Sequence, residues 1–439
     1  MKVLKFGGTS VGSADRIKKV ALLVRKEKLP VCVVLSAMSG TTNALVSIAN
    51  LYFKQDATKA LKEIKILEKK YEATCMELFG SPETREKAIS QVRGHFDFMR
   101  TFSIDVFTSN EEKAILAQGE LLSTFLFHLH LTEAGDRSVL LSALDFMRLD
   151  LQEEPDFTFI KAQISLLLKR NKGFKYYITQ GYICRNSFGE IDNLKRGGSD
   201  YTASLLGAAI NAEEIQIWTD IDGMHNNDPR VVKKTKPIGE LSFDEAAELA
   251  YFGAKILHPT CILPARKSNV PVKLLNTLDP NAKGTLIKAR GKGKGIKAVA
   301  AKDGIIAINI KSDRMLLAYG FLRSVFEVFE RHKTPIDMIT TSEVAVSLTI
   351  DSNKFLGDIV KELSNFSSVT VEEKQSIICI VGKVDFNKCG YASKVFQALK
   401  NIPVRMISYG GSENNISVLV HSSFKNRALQ ALNKNIFKF

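Results

Sequence analysis

Pro30-Val31-Cys32-Val33-Val34-Leu35-Ser36 is a run of strand length in which every position from 31 to 35 is apolar. A strand that shows one face to water alternates apolar and polar residues, so a continuous apolar run belongs to a strand buried on both faces, as in a parallel sheet covered by helices. Val3–Phe6, Val139–Ala143, Tyr176–Thr179 and Ile215–Thr219 also read as strands, separated by helical patterns such as Ala14–Lys26 and a nearly continuous helical stretch from Leu51 to His130, broken near Gly80-Ser81-Pro82. Alternation of this kind gives parallel pairs through right-handed crossovers, and open sheets of this class bind ligands beyond the carboxyl ends of their strands. The pattern predicts an α/β fold, an open, mainly parallel sheet sandwiched by helices.

The chain of 439 residues is long enough for two or three such cores. Gly291-Lys292-Gly293-Lys294-Gly295 marks a boundary. Beyond it the sequence repeats itself: Gly320-Phe321-Leu322, Val325-Phe326 and Asp337-Met338-Ile339 answer to Gly390-Tyr391-Ala392, Val395-Phe396 and Arg405-Met406-Ile407. Each copy reads as strands around a Gly-opened helix, which predicts two small α+β modules in tandem. Modules without a cluster of acid, base or nucleophile suit ligand sensing or dimerisation better than catalysis.

Two glycine turns carry the chemistry. Lys5-Phe6-Gly7-Gly8-Thr9-Ser10 joins the first strand to the first helix, and Arg196-Gly197-Gly198-Ser199-Asp200 opens onto the small-residue helix Ala203–Ala209, with Ser199 and Asp200 at the expected N-cap. Paired glycines let the backbone approach a ligand and present consecutive N–H groups, and a helix behind them adds the positive end of its dipole. Arg196 can grip a carboxylate with two parallel hydrogen bonds, and Lys5 is a mobile cation at a strand end. Such turns also occur in ordinary loops, so this feature alone leaves the anion-site and plain-turn readings open. Neither the P-loop spacing nor G-x-G-x-x-G is present, which excludes the common NTPase and dinucleotide motifs. Ser36–Asn43 is a hydroxyl-rich loop at a strand end, while Gln118-Gly119-Glu120 interrupts an apolar helix pattern in which an exposed glutamate is the plain alternative. Lys255 suits either a ligand contact or a helix C-terminus, and His258 before Pro259 reads as a structural hydrogen-bonder.

Composition narrows the function classes. The hydrophobic fraction of 45% and charged fraction of 25% are those of an ordinary globular protein. No apolar run approaches the roughly 18 residues a membrane helix needs, and nothing resembling a signal peptide precedes the first strand, so a cytoplasmic location is expected. Six cysteines lack CxxC spacing and mostly lie in apolar stretches, as buried thiols do, and His128 and His130 stand two apart on a helix, on different faces; no metal site is predicted. The net charge of +14 is spread over helical faces without interleaved aromatics, which favours a solvated surface over a nucleic-acid footprint.

Taken together with Trp218-Thr219-Asp220, Asp228-Pro229-Arg230, Phe252-Gly253-Ala254-Lys255 and Ile339-Thr340-Thr341-Ser342-Glu343, these motifs resemble, in family order and along the whole chain, aspartate kinase: an amino-acid-kinase fold followed by two ACT modules. The chain looks like the monofunctional form rather than a fusion with homoserine dehydrogenase. The resemblance implies a catalytic domain over 1–290 and ACT modules over 304–372 and 376–439, with a strand at 296–302 assignable to the second. It implies ATP-dependent phosphorylation of the L-aspartate side chain to 4-phospho-L-aspartate, the first step of lysine, threonine and methionine biosynthesis, with Mg²⁺ carried on the nucleotide phosphates. Lys5, Asp200 and Lys255 would be catalytic. Glu120 would face the substrate ammonium and Arg196 its α-carboxylate, with Ser36, Thr42 and Ser199 lining the aspartate site. Lys5, Gly7, Gly8, Gly198, Thr219, Asp220, His225, Arg230 and Lys255 would hold the nucleotide, His225 standing where relatives often carry Tyr.

An end-product amino acid, lysine first, would bind the first module at Met315, Gly320, Phe321, Leu322, Asp337, Thr341, Ser342 and Glu343, within a homodimer or larger oligomer built on the modules. Ala318 and Pro335 stand where lysine-inhibited relatives carry serines. Other readings to be weighed are a kinase for glutamate, acetylglutamate or UMP, a non-catalytic amino-acid sensor, and a basic RNA-binding regulator. The paired modules and Arg196-Gly197-Gly198-Ser199-Asp200-Tyr201 speak against the first, the intact Lys5, Glu120, Arg196 and Lys255 speak against the second, and a filter-binding titration across salt would expose the third through a steep slope.

Overall fold

The computed structural model describes residues 1–103, 106–195, 197–253, 258–291, 293, 295–312, 319–383 and 389–437. The chain divides into two compact units, one formed by Met1–Gly223 with Leu257–Arg290 and the other by Met224–Ile256 with Gly291–Phe439.

In chain order the first unit contains β1 (Lys2–Phe6), α1 (Ala14–Arg25), β2 (Val31–Leu35), α2 (Thr41–Phe53), α3 (Ala57–Leu78), α4 (Pro82–Thr101), α5 (Ser109–Glu133), β3 (Ser138–Leu141), α6 (Phe157–Arg170), β4 (Tyr176–Gln180), β5 (Ile183–Arg185), β6 (Ile191–Asn193), α7 (Gly198–Ala209) and β7 (Ile215–Thr219). The second unit interposes β8 (Glu240–Ser242) and α8 (Phe243–Tyr251), after which the first resumes with α9 (Pro259–Lys267), β9 (Val272–Asn276) and β10 (Thr285–Lys288). Its strands run in the order β3-β4-β2-β1-β7-β9-β10, parallel except for β10 against β9. The all-apolar β2 is buried at every position between β1 and β4, as its composition requires. The end of α2 and helices α3 to α5 cover the predicted stretch, the predicted break at Gly80-Ser81-Pro82 falls between α3 and α4, and two further breaks precede α3 and α5. Asp56, Ser81 and Thr108 cap α3, α4 and α5, so short capping residues divide a run whose helical period is nearly continuous.

The second unit continues with β11 (Gly295–Lys311), α10 (Phe321–Arg331), β12 (Ile339–Thr341), β13 (Ala345–Ile350), α11 (Leu356–Leu363), β14 (Ser368–Lys383), α12 (Tyr391–Ala398), β15 (Met406–Ser408), β16 (Asn415–His421) and α13 (Lys425–Leu432). The two repeats do not form separate sheets. Among the described residues their strands join in the order β12-β13-β11-β14-β16-β15, because β11 and β14 each run through both repeats. Gly295–Lys302 pairs with Ile377–Lys383, and Ile305–Lys311 pairs with Ser368–Gln375 and with β13. Gly320 and Gly390 open α10 and α12 in the left-handed conformation, so the equivalent glycines of the repeat do the same backbone work.

The sequence-based boundary at 290 is crossed by Met224–Ile256. Val232 of that segment is buried in the core of the second repeat, and Asn227 Nδ2 donates to the Leu429 carbonyl at 3.0 Å. Among the described residues no helix is long and apolar enough to cross a membrane.

Candidate active site

β1 and β2 end side by side, since Phe6 pairs with Leu35, and their carboxyl ends release the two loops that build the site. Lys5 leaves β1 with its ammonium 2.6 Å from Asp200 Oδ1; both side chains are largely buried. Gly8 follows, where a Cβ would stand 2.7 Å from the Ala37 carbonyl, so only glycine allows the loops after β1 and β2 to close on one another. The Gly7 N–H donates to the Trp218 carbonyl at 3.3 Å. It is therefore engaged by β7 and is not the ready phosphate donor that the sequence suggests.

Asp200 lies in the first turn of α7. The helix is not capped by Ser199 or Asp200 as predicted. Gly197 takes the cap position in the left-handed region at φ 77°, with no side-chain cap bond, and Ser199 and Asp200 fall inside the helix. A Cβ on Gly197 would also stand 2.2 Å from Cys261 Sγ in α9. Backbone conformation and close packing thus both require glycine here. Ser199 is buried. Thr202, one turn further, accepts from the Tyr182 N–H at 3.0 Å and donates to the Gly198 carbonyl, tying α7 to the turn after β4.

Glu120 is not the exposed helix glutamate of the plain alternative. It is 4% exposed in the middle of α5, and its Oε1 accepts from the Ala37 N–H at 3.1 Å. Gly119 explains the approach: a Cβ there would stand 2.8 Å from that of Ala37. Burial pushes the Glu120 carboxyl up to about 7, against the opposing pull of the Ala37 N–H and the Lys5 charge. Ser36 is half-buried and its carbonyl accepts from Ser123 Oγ at 2.8 Å. Thr42 is exposed in the first turn of α2. Its neighbour Thr41 is the buried member of the pair, hydrogen-bonded to Tyr71 at 3.0 Å. At the end of β7, Thr219 Oγ1 donates to Asp220 Oδ1 at 3.1 Å.

The structure thus gathers Lys5, Ser36, Glu120, Ser199 and Asp200 around the loops after β1 and β2 and the start of α7. Several residues that support them were not singled out in the sequence. Ser10 and Thr277 share a buried 2.8 Å hydrogen bond across 267 positions, and the Thr277 N–H donates to the Thr219 carbonyl at 2.8 Å, so the first glycine loop is tied to the ends of β7 and β9. Gln180 donates to Thr124, which donates to the Glu120 carbonyl. Hydrogen-bond partners of this separation leave no local signal.

In the second unit, His225 Nδ1 lies 2.8 Å from Thr235 Oγ1, and Arg230 grips Asp228 through Nε at 3.0 Å and Nη2 at 2.8 Å. In the first repeat, Asp337 is buried against Lys302. Gly320, Phe321, Leu322, Thr341, Ser342 and Glu343 occupy the start of α10 and the end of β12. Arg196, Lys255 and Met315 lie outside the described residues. Among the described residues no group of three or more His, Cys, Asp or Glu side chains is placed to hold a metal.

A family model described as the amino acid kinase family matches residues 1–276, and one described as an ACT domain matches residues 378–436. The first covers more than half of the chain and defines the class, a small-molecule kinase with an appended regulatory module. Lysine-sensitive aspartokinase 3 of Escherichia coli is 34% identical over 450 residues, covering 99% of each chain, and the chloroplastic aspartokinase 1 of Arabidopsis thaliana is 33% identical over 99% of this chain and 80% of its own length. The fold matches E. coli aspartokinase III in complex with aspartate and ADP with a TM-score of 0.85, at 34% identity and over 100% of both chains. It matches the same enzyme in complex with lysine and aspartate with a TM-score of 0.79, at 33% identity, over 100% of this chain and 99% of the other. The chain belongs to the aspartokinase family.

Proposed function

We propose that the chain transfers the γ-phosphoryl group of ATP to the side-chain carboxylate of L-aspartate, and that the loops after β1 and β2 with the start of α7 form the transfer site. A carboxylate is already ionised at neutral pH, so the attack needs no general base. It needs two anions held in line and the charge of the transferring group neutralised, which fixed cations and N–H donors supply. The observation that carries the reading is the Lys5–Asp200 ion pair, which sets a cation at the strand ends beside the buried Glu120. Glu120 would take the substrate ammonium, Arg196 its α-carboxylate, and Ser36, Thr42 and Ser199 would line the pocket. Thr219, Asp220, His225, Arg230 and Lys255 would hold the nucleotide, with Gly8 and Gly198 giving N–H groups; Arg230 would have to exchange Asp228 for it.

Mg²⁺ would be carried on the nucleotide phosphates, which supply most of its oxygen ligands, with Asp200, the partner of Lys5, as the protein carboxylate at the site. Bound there, the ion would neutralise phosphate charge. The test is formation of aspartate hydroxamate in the presence of ATP, Mg²⁺ and hydroxylamine. Product with glutamate or acetylglutamate but not with aspartate overturns the assignment.

The same reading includes feedback by lysine at the first repeat, with Asp337 meeting an ammonium group. One relative's name for lysine sensitivity and the complex of E. coli aspartokinase III with lysine support it. A homo-oligomer built on the repeats is supported by the exposed apolar side chains Leu322 and Phe326, one turn apart on α10, together with Tyr319 and Val344. A reducing, cytoplasmic setting fits the six free cysteines. Calorimetric titration of lysine, threonine and methionine into wild type and Asp337→Ala tests the feedback. No heat and no inhibition at millimolar concentration leaves the repeats a role in assembly alone.

A further inference from the structure

Asp337, the carboxylate assigned to an effector's ammonium, already holds a cation of the same chain. Its Oδ1 accepts from Lys302 Nζ at 2.8 Å and from the Tyr251 hydroxyl at 2.6 Å, and the side chain is 2% exposed. Lys302 also meets Asp351 at 2.9 Å, and its ammonium lies 4.5 Å from the centre of the Tyr251 ring. Asp337 Oδ2 is buried with no hydrogen-bond partner among the described residues, and Asp337 is one of the residues lining a cavity of about 360 Å³ whose wall includes Glu248, Tyr251, Phe252, Ser412 and Asn415. One carboxylate oxygen accepts two hydrogen bonds and the other accepts none among the described residues.

The partners of this carboxylate belong to elements with consequences. Tyr251 is the last residue of α8, and Phe252, Gly253 and, two residues on, Lys255 follow it. Gly253 rests on β11 with φ 117°, where a Cβ would stand 2.1 Å from the Ala301 carbonyl, the residue before Lys302. At its other end α8 is held to the same strand by Lys297 and Glu245, 2.7 Å apart and nearly buried. α8 is thus fastened to β11 at both ends, and the fastening at its carboxyl end passes through Asp337.

We propose that Lys302 is a tethered competitor of the effector: a free ligand with a primary ammonium binds by displacing Lys302 from Asp337, which releases Tyr251 and with it the end of α8 that leads to Lys255. The proposal rests on the assignment of Asp337 to effector binding and adds the residue that sets the affinity and the one that passes the signal on. A site filled by an internal ligand shows an apparent dissociation constant raised by the inverse of its open fraction. Removing the competitor therefore tightens binding, whereas removing the reporter leaves binding and weakens its effect on catalysis.

The experiment uses the full chain and lysine as the probe, with calorimetry for binding and the hydroxamate assay for inhibition. Lys302→Met is expected to lower the lysine Kd about tenfold or more, Lys302→Arg to keep it near wild type, and Tyr251→Phe to bind lysine at least as tightly while the maximal inhibition falls. Lys302→Met leaves a buried carboxylate without its cation, so Lys302→Ala is also melted with and without n-propylammonium, with tetramethylammonium as the control. A rise in melting temperature with the primary ammonium alone is expected. Lysine binding to wild type with no tightening in Lys302→Met, or no selective rescue of Lys302→Ala, overturns the competitor and leaves the effector site standing. Selective rescue with no lysine binding to any variant supports the internal cation site and removes lysine as its rival. Full inhibition in Tyr251→Phe overturns the transmission step.

Discussion

Lys5 Nζ and Asp200 Oδ1 are 2.6 Å apart, which joins the end of β1 to the first turn of α7 and holds an ammonium where the loops after β1 and β2 meet. The pair is largely buried, so each charge is compensated chiefly by the other. On the proposed assignment, substrate anions share or replace Asp200 at that ammonium. Lys5→Ala is expected to lower kcat on the order of 10²-fold or more while nucleotide still binds, because a cation aimed at the transferring group matters most as charge moves. Steady-state rates beside nucleotide titration check it, and an unchanged kcat removes the role.

Gly119 is the point at which α5 touches the loop after β2, with Ala37 so near that a methyl group has no space. Gly119→Ala should push the helix away and break the Ala37–Glu120 hydrogen bond. The overpacking cost is about 1–3 kcal/mol, and the aspartate KM should rise by more than the ATP KM. Denaturant melts and the two KM values measure these effects, and equal changes in both KM values would show that Glu120 does not serve aspartate.

Ser10 and Thr277 are buried and bonded to one another. Their coupling energy in a cycle of Ser10→Ala, Thr277→Val and the double variant should come to about 0.5–1.5 kcal/mol in stability, as for a buried neutral hydrogen bond. Additive single effects would mean that the contact contributes nothing.

The strands and glycine turns were legible because their causes are local. An apolar run such as 31–35 has no stable place except a doubly covered strand, and the glycines at 320 and 390 open their helices in a conformation that other residues resist. What the sequence concealed depends on tertiary approach. Glu120 sits in a helix whose apolar residues surround it on every side, so periodicity gives no sign that the carboxylate is buried, and the reason, Gly119 against Ala37, joins two distant segments. Ser199 and Asp200 carry the ordinary chemistry of a helix cap, yet Gly197 takes that position because Cys261 of α9 packs under the turn. The two repeats are readable as copies, whereas their fusion into one sheet comes from strand pairing across the repeat boundary. Arg196 and Lys255 rest on their motifs alone.

Glu120 makes the pH dependence predictable. Burial raises its carboxyl from the usual 4.5 to about 7, so in the unliganded protein it is largely protonated at pH 6 and ionised at pH 8. A group whose folded pKa is raised contributes stability that is fully present below its unfolded pKa and is lost as pH rises through the folded one. The window is therefore about 4.5 to 7, and Glu120→Gln should be the more stable protein above it, by an amount on the order of 3 kcal/mol or less. Function runs the other way. On the proposed assignment the substrate ammonium requires the ionised carboxylate, so kcat/KM for aspartate should fall as pH drops below about 7, and Glu120→Gln should lose that limb together with most of its aspartate affinity. Binding must also expel the proton from whatever fraction carries one. Calorimetric titration of aspartate at pH 6.5 in buffers of different ionisation enthalpy should therefore report a net proton release that approaches zero near pH 8.5. Proton uptake at pH 6.5, or a kcat/KM profile flat between pH 6 and 8, would place the substrate ammonium elsewhere.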